Sequence, residues 1–363
     1  MSSRIQRLDT TGVDCIALVP GPNMVYLTGL HFHLSERPII AFFPASGQPA
    51  LLVPALEAIK TEHAPHPIDW QIFAYSDEDG PDAACARACA ALNLSGKRLA
   101  VERLTMRVLE LSMVQRDAPG LQIIAAEPLL ADLRMCKDAG ELAHMRRAAT
   151  IAQEALTHTL QAVRPGMTEQ EIAAELMVNL LRGGSEAPAF APAVQSGPNS
   201  ASPHAGPGSR RLEPGDLLLI DFGATVQGYA SDITRTFAIG GLEPELTQVH
   251  ETVQAANAAG RAAAGPDVPC QEVDRAARRV IEEAGYGPYF IHRTGHGLGL
   301  EIHEPPYIIE GNARRLQAGM TFTVEPGIYL PGRGGVRVED DVVITEEGCE
   351  SLTSFERGLQ IIS

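Results

Sequence analysis

Apolar residues along this chain change their spacing three times. In the first third they come in short runs, CIALVP (15–20), IIAFFP (39–44), ALLVP (50–54) and RLAVE (98–102), each bounded by turn-forming residues. Such runs predict strands of a buried sheet. Between and after them, ARACAALNL (86–94) and MRVLELSMVQR (106–116) carry apolar residues at helical spacing. Residues 1–128 are therefore expected to form a small α/β domain. From 132 to 163 apolar residues recur every three or four positions with charges between them, which predicts one or two long helices opening a second domain, 129–363.

The texture then alternates between helices and hairpins. TEQEIAAELMVNLLR (168–182) is expected to be a helix, with Thr168 as N-cap and Glu171 completing a capping box. A glycine- and proline-rich loop, 183–208, precedes two predicted strands, DLLLIDFGA and YASDITRTFAI. Two helices are expected near 244–264 and 270–284. FIHRTGHGLGLEIHE follows, and then a last hairpin of MTFTVEPGIYL and GVRVEDDVVIT. The order helices, hairpin, helices, hairpin gives the second half a rough symmetry.

Composition narrows the function classes. The 363 residues are 45% hydrophobic but only 5% aromatic, so the core must be built from Ala, Leu, Val and Ile. A net charge of −16 disfavours nucleic acid or an anionic membrane as partner. The N-terminal MSSRIQRLDTTGVD lacks an apolar stretch, so no signal peptide is expected, and no run is long enough to span a membrane. Six scattered cysteines suggest reduced thiols in a cytoplasmic protein; Cys85 and Cys89, four apart, are expected to be simply buried.

The candidate chemistry lies in five positions: Asp221, Asp232, His296, Glu325 and Glu339. One imidazole and four carboxylates offer too few nitrogens for a structural zinc site. They suit a pair of hard divalent ions with bridging carboxylates, and such a pair activates water for hydrolysis. Asp221 and Asp232 lie on the arms of the first hairpin, with a turn expected near Gln227-Gly228. Glu325 and Glu339 flank the Pro331–Gly335 loop of the second. Facing side chains on paired strands are about 5 Å apart, so each pair would repel unless a cation intervened. LLLIDFGA and FTVEPG are apolar up to the acid, which implies burial and argues against ordinary surface charge. His296 is flanked by glycines that allow close approach to a metal, while His204, His292 and His303 lie in loops or strand ends that could reach the same cleft. His31 and His33 are expected to be surface or structural. HEPPY is not HExxH, the Pro331–Gly335 loop is not followed by a helix that would make it a phosphate site, and no GxSxG elbow occurs.

On these residues the chain resembles the pita-bread metallopeptidases, and among them the Xaa-Pro peptidases, aminopeptidase P and prolidase. DFGATVQGYASDITRTF, GHGLGLEIHE, TVEPGIYLPG and GGVRVEDD match the family's stretches in order and spacing, and the region around NMVYLTG resembles the creatinase/prolidase N-terminal domain. The resemblance implies an α/β N-terminal domain followed by an α+β pita-bread catalytic domain. It implies two divalent ions (Mn, Co or Zn), with Asp221 binding one ion, Asp232 and Glu339 bridging, and His296 and Glu325 holding the second. Glu325 would also act as the catalytic base on a water shared by the ions, and His303 would stabilise the tetrahedral intermediate. His204 and His292 resemble further active-site histidines, and Arg337 an arginine that supports the bridging ligands.

The implied activity is hydrolysis of an N-terminal Xaa-Pro bond, as an aminopeptidase or a dipeptidase, by a homodimer acting on peptides with proline second. The five intact ligands count against metal-free creatinase, and the N-terminal domain counts against methionine aminopeptidase. A broader metalloaminopeptidase and a non-catalytic peptide-binding module are the alternatives. The N-terminal domain is shorter than that of the large aminopeptidases P, which leaves their subsite contacts unassigned.

Overall fold

The structure, a computed structural model, describes residues 3–8, 10–65 and 67–363. The chain divides into two compact units, residues up to Arg134 and residues from Met135 on. Among the described residues no helix is long and apolar enough to cross a membrane.

The first unit is built on a six-stranded mixed sheet. Its strands are β1 (Cys15–Leu18), β2 (Ile40–Pro44), β3 (Ala50–Pro54), β4 (Gln71–Tyr75), β5 (Arg98–Val101) and β6 (Gln122–Ala125), in the order β4-β3-β2-β1-β5-β6. The four apolar runs supply β1, β2, β3 and β5, which hold the middle of the sheet. β4 and β6 close its two edges and are partly exposed. The longer helices of the unit are α1 (Pro22–Thr28), α2 (Asp82–Ala91), α3 (Val108–Asp117) and α4 (Glu127–Arg134). Cys85 and Cys89 are buried in the core between α2 and the sheet, and no cysteine of the chain is in a disulfide. His31 and His33 are exposed.

The second unit repeats one design twice. α5 (Ala139–Ala162) and α6 (Glu169–Arg182) both start from capping boxes, Asp138 with Glu141 and Thr168 with Glu171. Their apolar faces pack on a sheet of β7 (Ala193–Ser196), β8 (Leu217–Phe222) and β11 (Ile233–Ile239), with the terminal strand β19 (Ile361–Ile362) on its edge. β7 lies inside the glycine- and proline-rich stretch that was expected to be loop. The two-residue strands β9 (Thr225–Val226) and β10 (Tyr229–Ala230) extend the β8–β11 hairpin to a turn at Gln227-Gly228. Both turn residues have positive φ, 50° and 76°, the backbone of a type I′ turn.

The second half of the unit repeats this with α7 (Pro244–Ala263) and α8 (Cys270–Glu283). A five-stranded sheet follows, ordered β13 (Glu304–Ile308), β12 (Gly295–Gly297), β14 (Thr321–Val324), β17 (Asp340–Ile344) and β18 (Cys349–Ser351). A ribbon of β15 (Gly327–Leu330) and β16 (Gly334–Arg337) continues the β14–β17 pairing in the same register.

The glycines around His296 serve this sheet. A Cβ on Gly295 would stand 1.8 Å from the Thr323 carbonyl oxygen, and one on Gly297 would stand 2.3 Å from that of Pro305. Close passage of β12 between its two neighbours requires both glycines, so their role is strand packing as much as access to an ion. Replacing Gly295 with alanine is therefore expected to force the strands apart, lowering stability by at least about 2 kcal/mol. An unchanged urea midpoint for Gly295→Ala would contradict this packing.

Candidate metal centre

The four predicted carboxylates and His296 all line one cavity of about 810 Å³. They reach it from different strands. Asp221 is the penultimate residue of β8, and its partner across the ladder is Thr234. Asp232 lies two residues before Thr234, just outside β11. The two aspartates, expected roughly opposite each other, are thus diagonal neighbours across the hairpin. Glu325 and Glu339 keep the expected cross-strand register, one pair beyond Val324 and Asp340. They sit where the β14–β17 ladder gives way to β15–β16. There the Glu339 N–H donates to the Thr234 carbonyl at 3.1 Å and the Glu325 N–H to the Thr294 carbonyl at 2.7 Å. These two bonds tie the two hairpins and β12 into one site.

Asp232, His296 and Glu339 offer ligand atoms that all lie within 4.8 Å of one another, and all three residues are buried. His296 Nδ1 lies 3.2 Å from the Gly297 carbonyl, which can only accept, so this nitrogen carries the proton. Nε2 is then a bare lone pair, yet it lies 3.3 Å from Glu325 Oε1 and 3.8 Å from Asp232 Oδ2. Two acceptors facing each other in a buried place call for a cation between them. Asp221 Oδ1 and Asp232 Oδ1 are likewise buried and have no hydrogen-bond partner among the described residues.

The electrostatics agree. Burial, then the charges of Glu339 and Asp221, pushes the Asp232 carboxyl far above the usual carboxylate range. Burial followed by Glu325 and Asp221 does the same to Glu339. Burial lifts Glu325 to about 7. Burial, with His303 beside it, holds His296 well below its ordinary value, so the imidazole is neutral. A nest of four carboxylates with this much repulsion fits hard divalent cations, which supply the missing positive charge and keep the acids ionised.

A second layer fixes the acids. Arg337 is buried and donates from Nη2 to Asp221 Oδ2 at 2.5 Å, from Nε to Thr234 Oγ1 at 3.1 Å and from Nη1 to the Tyr329 hydroxyl at 2.8 Å. Thr234 Oγ1 in turn donates to Glu339 Oε2 at 2.5 Å. The Asp232 N–H donates to Asp341 Oδ2 at 2.8 Å. Below them, fully buried Asp340 accepts from Arg235 at 2.8 Å and Arg357 at 2.7 Å, and Arg235 also donates to the Glu339 carbonyl at 2.5 Å. Thr234, Tyr329 and Asp341 were not singled out from the sequence. Their signal is weak: each lies in strand-like text, within four residues of a predicted ligand, where burial alone explains it.

The histidines differ in availability. His303 is at the cavity mouth, its ring centroid 4.1 Å from that of His296; burial and nearby Arg293 hold it below its ordinary value. His204 is exposed and lines the cavity. His292 is engaged at both nitrogens. Nδ1 donates to the Arg293 carbonyl at 2.7 Å, and Nε2 accepts from the Tyr329 hydroxyl at 2.9 Å, since Tyr329 already receives Arg337. Burial, then the Arg337 charge, lowers His292 to about 4. It can present only its ring to a ligand.

The raised acids set the sign of a pH effect on metal-free protein. For Glu325 the unfolded chain loses its proton near 4.5 and the fold keeps it to about 7. Folding therefore binds a proton in that window, and this group's contribution to stability declines as pH rises through it. In the presence of chelator, Glu325→Gln is expected to gain stability relative to the unsubstituted protein as pH climbs across that interval. With excess manganese the order reverses, because the ion binds only the native acid. Thermal unfolding of both proteins with and without the ion reads this, and a difference constant with pH would contradict the burial of Glu325 in its charged form.

Comparison with known proteins agrees with this geometry. The model of metallopeptidase family M24 matches residues 143–346, and that of the creatinase/prolidase N-terminal domain matches residues 3–136. The chain is 36% identical over 366 residues to a putative dipeptidase, YkvY, of Bacillus subtilis, covering 99% of this chain and 100% of that one. It is 34% identical to an Xaa-Pro dipeptidase of Lactobacillus delbrueckii subsp. lactis, covering 98% and 96%. A solved prolidase from Thermococcus sibiricus superposes with a TM-score of 0.93 at 33% identity, over 99% of this chain and 97% of that one. The protein is a metallopeptidase and belongs to family M24.

Proposed function

We propose that this protein is an Xaa-Pro dipeptidase that uses two divalent cations, Mn, Co or Zn, held by Asp221, Asp232, His296, Glu325 and Glu339. The observation that carries the hydrolytic reading is the bare His296 Nε2 facing Glu325 and Asp232, beside the partnerless Oδ1 atoms of Asp221 and Asp232. When bound, such ions lower the pKa of a water and polarise the scissile carbonyl.

The chain's own groups supply the rest. Glu325, which lines the same cavity, is the candidate base for the proton of the attacking water. The same carboxyl can return that proton to the proline nitrogen, which has no hydrogen of its own in an Xaa-Pro bond and leaves as a secondary amine. Arg337 keeps Asp221 oriented directly and Glu339 through Thr234. His303, neutral at the mouth, is placed to donate to the oxygen that becomes negative. The ring of His292, packed edge-on against Phe290 with centroids 5.2 Å apart, offers an apolar wall for a pyrrolidine, and His204 also lines the cavity.

The dipeptidase form is supported by Arg293. It lines the cavity, its guanidinium lies 4.5 Å from the centroid of the Tyr307 ring, and among the described residues it has no acid within ion-pair distance. A free guanidinium inside an acidic enzyme suits the terminal carboxylate that a dipeptide brings and a longer peptide does not. Free thiols at all six cysteines fit a reducing compartment, the cytoplasm. The family resemblance supports a homodimer, which light scattering after size exclusion reads directly.

Ala-Pro should be cleaved with kcat/KM at least about tenfold above that for Ala-Pro-Ala, the worth of one charge-assisted hydrogen bond. Arg293→Gln should remove that preference. Equal rates on both peptides would favour an aminopeptidase, and equal rates on Ala-Ala would favour the broader metalloaminopeptidase. Glu339→Ala should lower turnover on the order of a thousandfold. Chelation should abolish activity and divalent ions restore it; full activity in the stripped protein would refute the metal-dependent mechanism.

A further inference from the structure

Residues 290–294 form an irregular segment between α8 and β12, and this segment carries His292 and Arg293. Its path is set by two side chains one helical turn apart on α8. Asp274 is fully buried and accepts from the Thr294 N–H at 3.1 Å and the Thr294 hydroxyl at 2.6 Å. Arg278 donates from Nη1 to the Phe290 carbonyl at 3.1 Å and from Nη2 to the His292 carbonyl at 2.9 Å. Its Nε and Nη2 also meet Asp274, each at 3.2 Å. The Arg278 guanidinium lies 4.1 Å from the centroid of the Phe290 ring, and Phe290 itself is packed into the core formed by α7 and α8.

Positions 290, 292 and 294 are thus each held from α8. Arg293 is bracketed between the last two, and its own carbonyl is held by His292 Nδ1 at 2.7 Å. Both Asp274 and Arg278 line the cavity. Arg278 is committed to four hydrogen bonds, so it has little left to offer a ligand, whereas the Arg293 guanidinium stacks on Tyr307 with its donors open. A helix-borne fork that grips every second residue of a loop gives that loop the rigidity of the helix, and a carboxylate-binding arginine gains from such preorganisation.

We propose that Asp274 and Arg278 are positioning residues for substrate selection: they fix the 290–294 segment so that Arg293 meets the free carboxylate of a bound Xaa-Pro dipeptide. The inference rests on the dipeptidase reading of Arg293 given above. It assigns α8 a part in specificity beyond packing.

The test compares Ala-Pro with Ala-Pro-amide, which differ only in the terminal charge, on the metal-loaded full-length enzyme. The readout is the ratio of the two kcat/KM values. Arg278→Lys and Asp274→Asn should each lower that ratio about tenfold, as expected when one charge-assisted bond is misplaced, with the change carried by KM for Ala-Pro. The double variant should lower it no further than either single change, because both act through one device. A purely structural tether would weaken both substrates alike and leave the ratio where the unsubstituted enzyme has it, and that result overturns the proposal. If Arg278→Lys fails to fold, as judged by circular dichroism, Asp274→Asn decides. If the unsubstituted enzyme has no preference for the free carboxylate, the reading of Arg293 itself has failed and the proposal falls with it, an outcome distinct from an unchanged ratio in the variants alone.

Discussion

Mutual repulsion among buried carboxylates is the constraint around which the second unit is organised. Asp221, Asp232, Glu325 and Glu339, two buried and two half-buried, are brought into one cavity by strand pairing, and nothing in their own chemistry favours the arrangement. Arg337 is the buried cation that touches them, pairing with Asp221 at 2.5 Å and standing 3.9 Å from Glu339. One guanidinium cannot balance four acids, so the fold is complete electrostatically only when further positive charge enters. Protons serve in the metal-free protein and divalent ions in the working one, and the competition between them links stability, pH and activity in a single site.

The backbone makes this possible. Two hairpins that would each be ordinary alone are joined where Glu339 and Glu325 leave their own ladder and bond to Thr234 and Thr294. Each bond sets a peptide group and an acid side chain at once. The alternating layers behind them, Thr234 and Arg337, then Arg235, Asp340 and Arg357, leave little rotational freedom to the ligands. Such support matters because an ion site held loosely by an ångström is a weak catalyst. The same rigidity extends to the substrate side through α8 and the 290–294 segment.

Much of this was legible in the text of the chain. The acids announce themselves because LLLI and FTV run apolar up to a carboxylate, a combination that surface strands do not need. The two helix pairs, the capping box at Thr168 and the register of Glu325 with Glu339 follow from periodicity and turn chemistry. Family, fold class and enzyme type came from the resemblance carried by those motifs. The rest depended on tertiary placement. β4 and β6 were missed because edge strands carry half-exposed faces, and β7 because proline and glycine surround it. Asp232 was expected roughly opposite Asp221, but a two-residue turn at Gln227-Gly228 pairs Asp221 with Thr234, and the β9–β10 ribbon keeps that register. His292 resembles a further active-site histidine, and the sequence could not show that both its nitrogens are engaged with Tyr329 and Arg293. Arg293 carried no signal in the sequence, since a lone arginine before a threonine says nothing about whether an acid awaits it.

In the working enzyme these scattered ligands are proposed to enclose divalent cations. Anomalous diffraction at the manganese edge, from crystals grown with that ion, tests it most directly. Two strong peaks are expected inside the cavity bounded by Asp221, Asp232, His296, Glu325 and Glu339. Crystals that diffract well and show no anomalous density among these five side chains would contradict it.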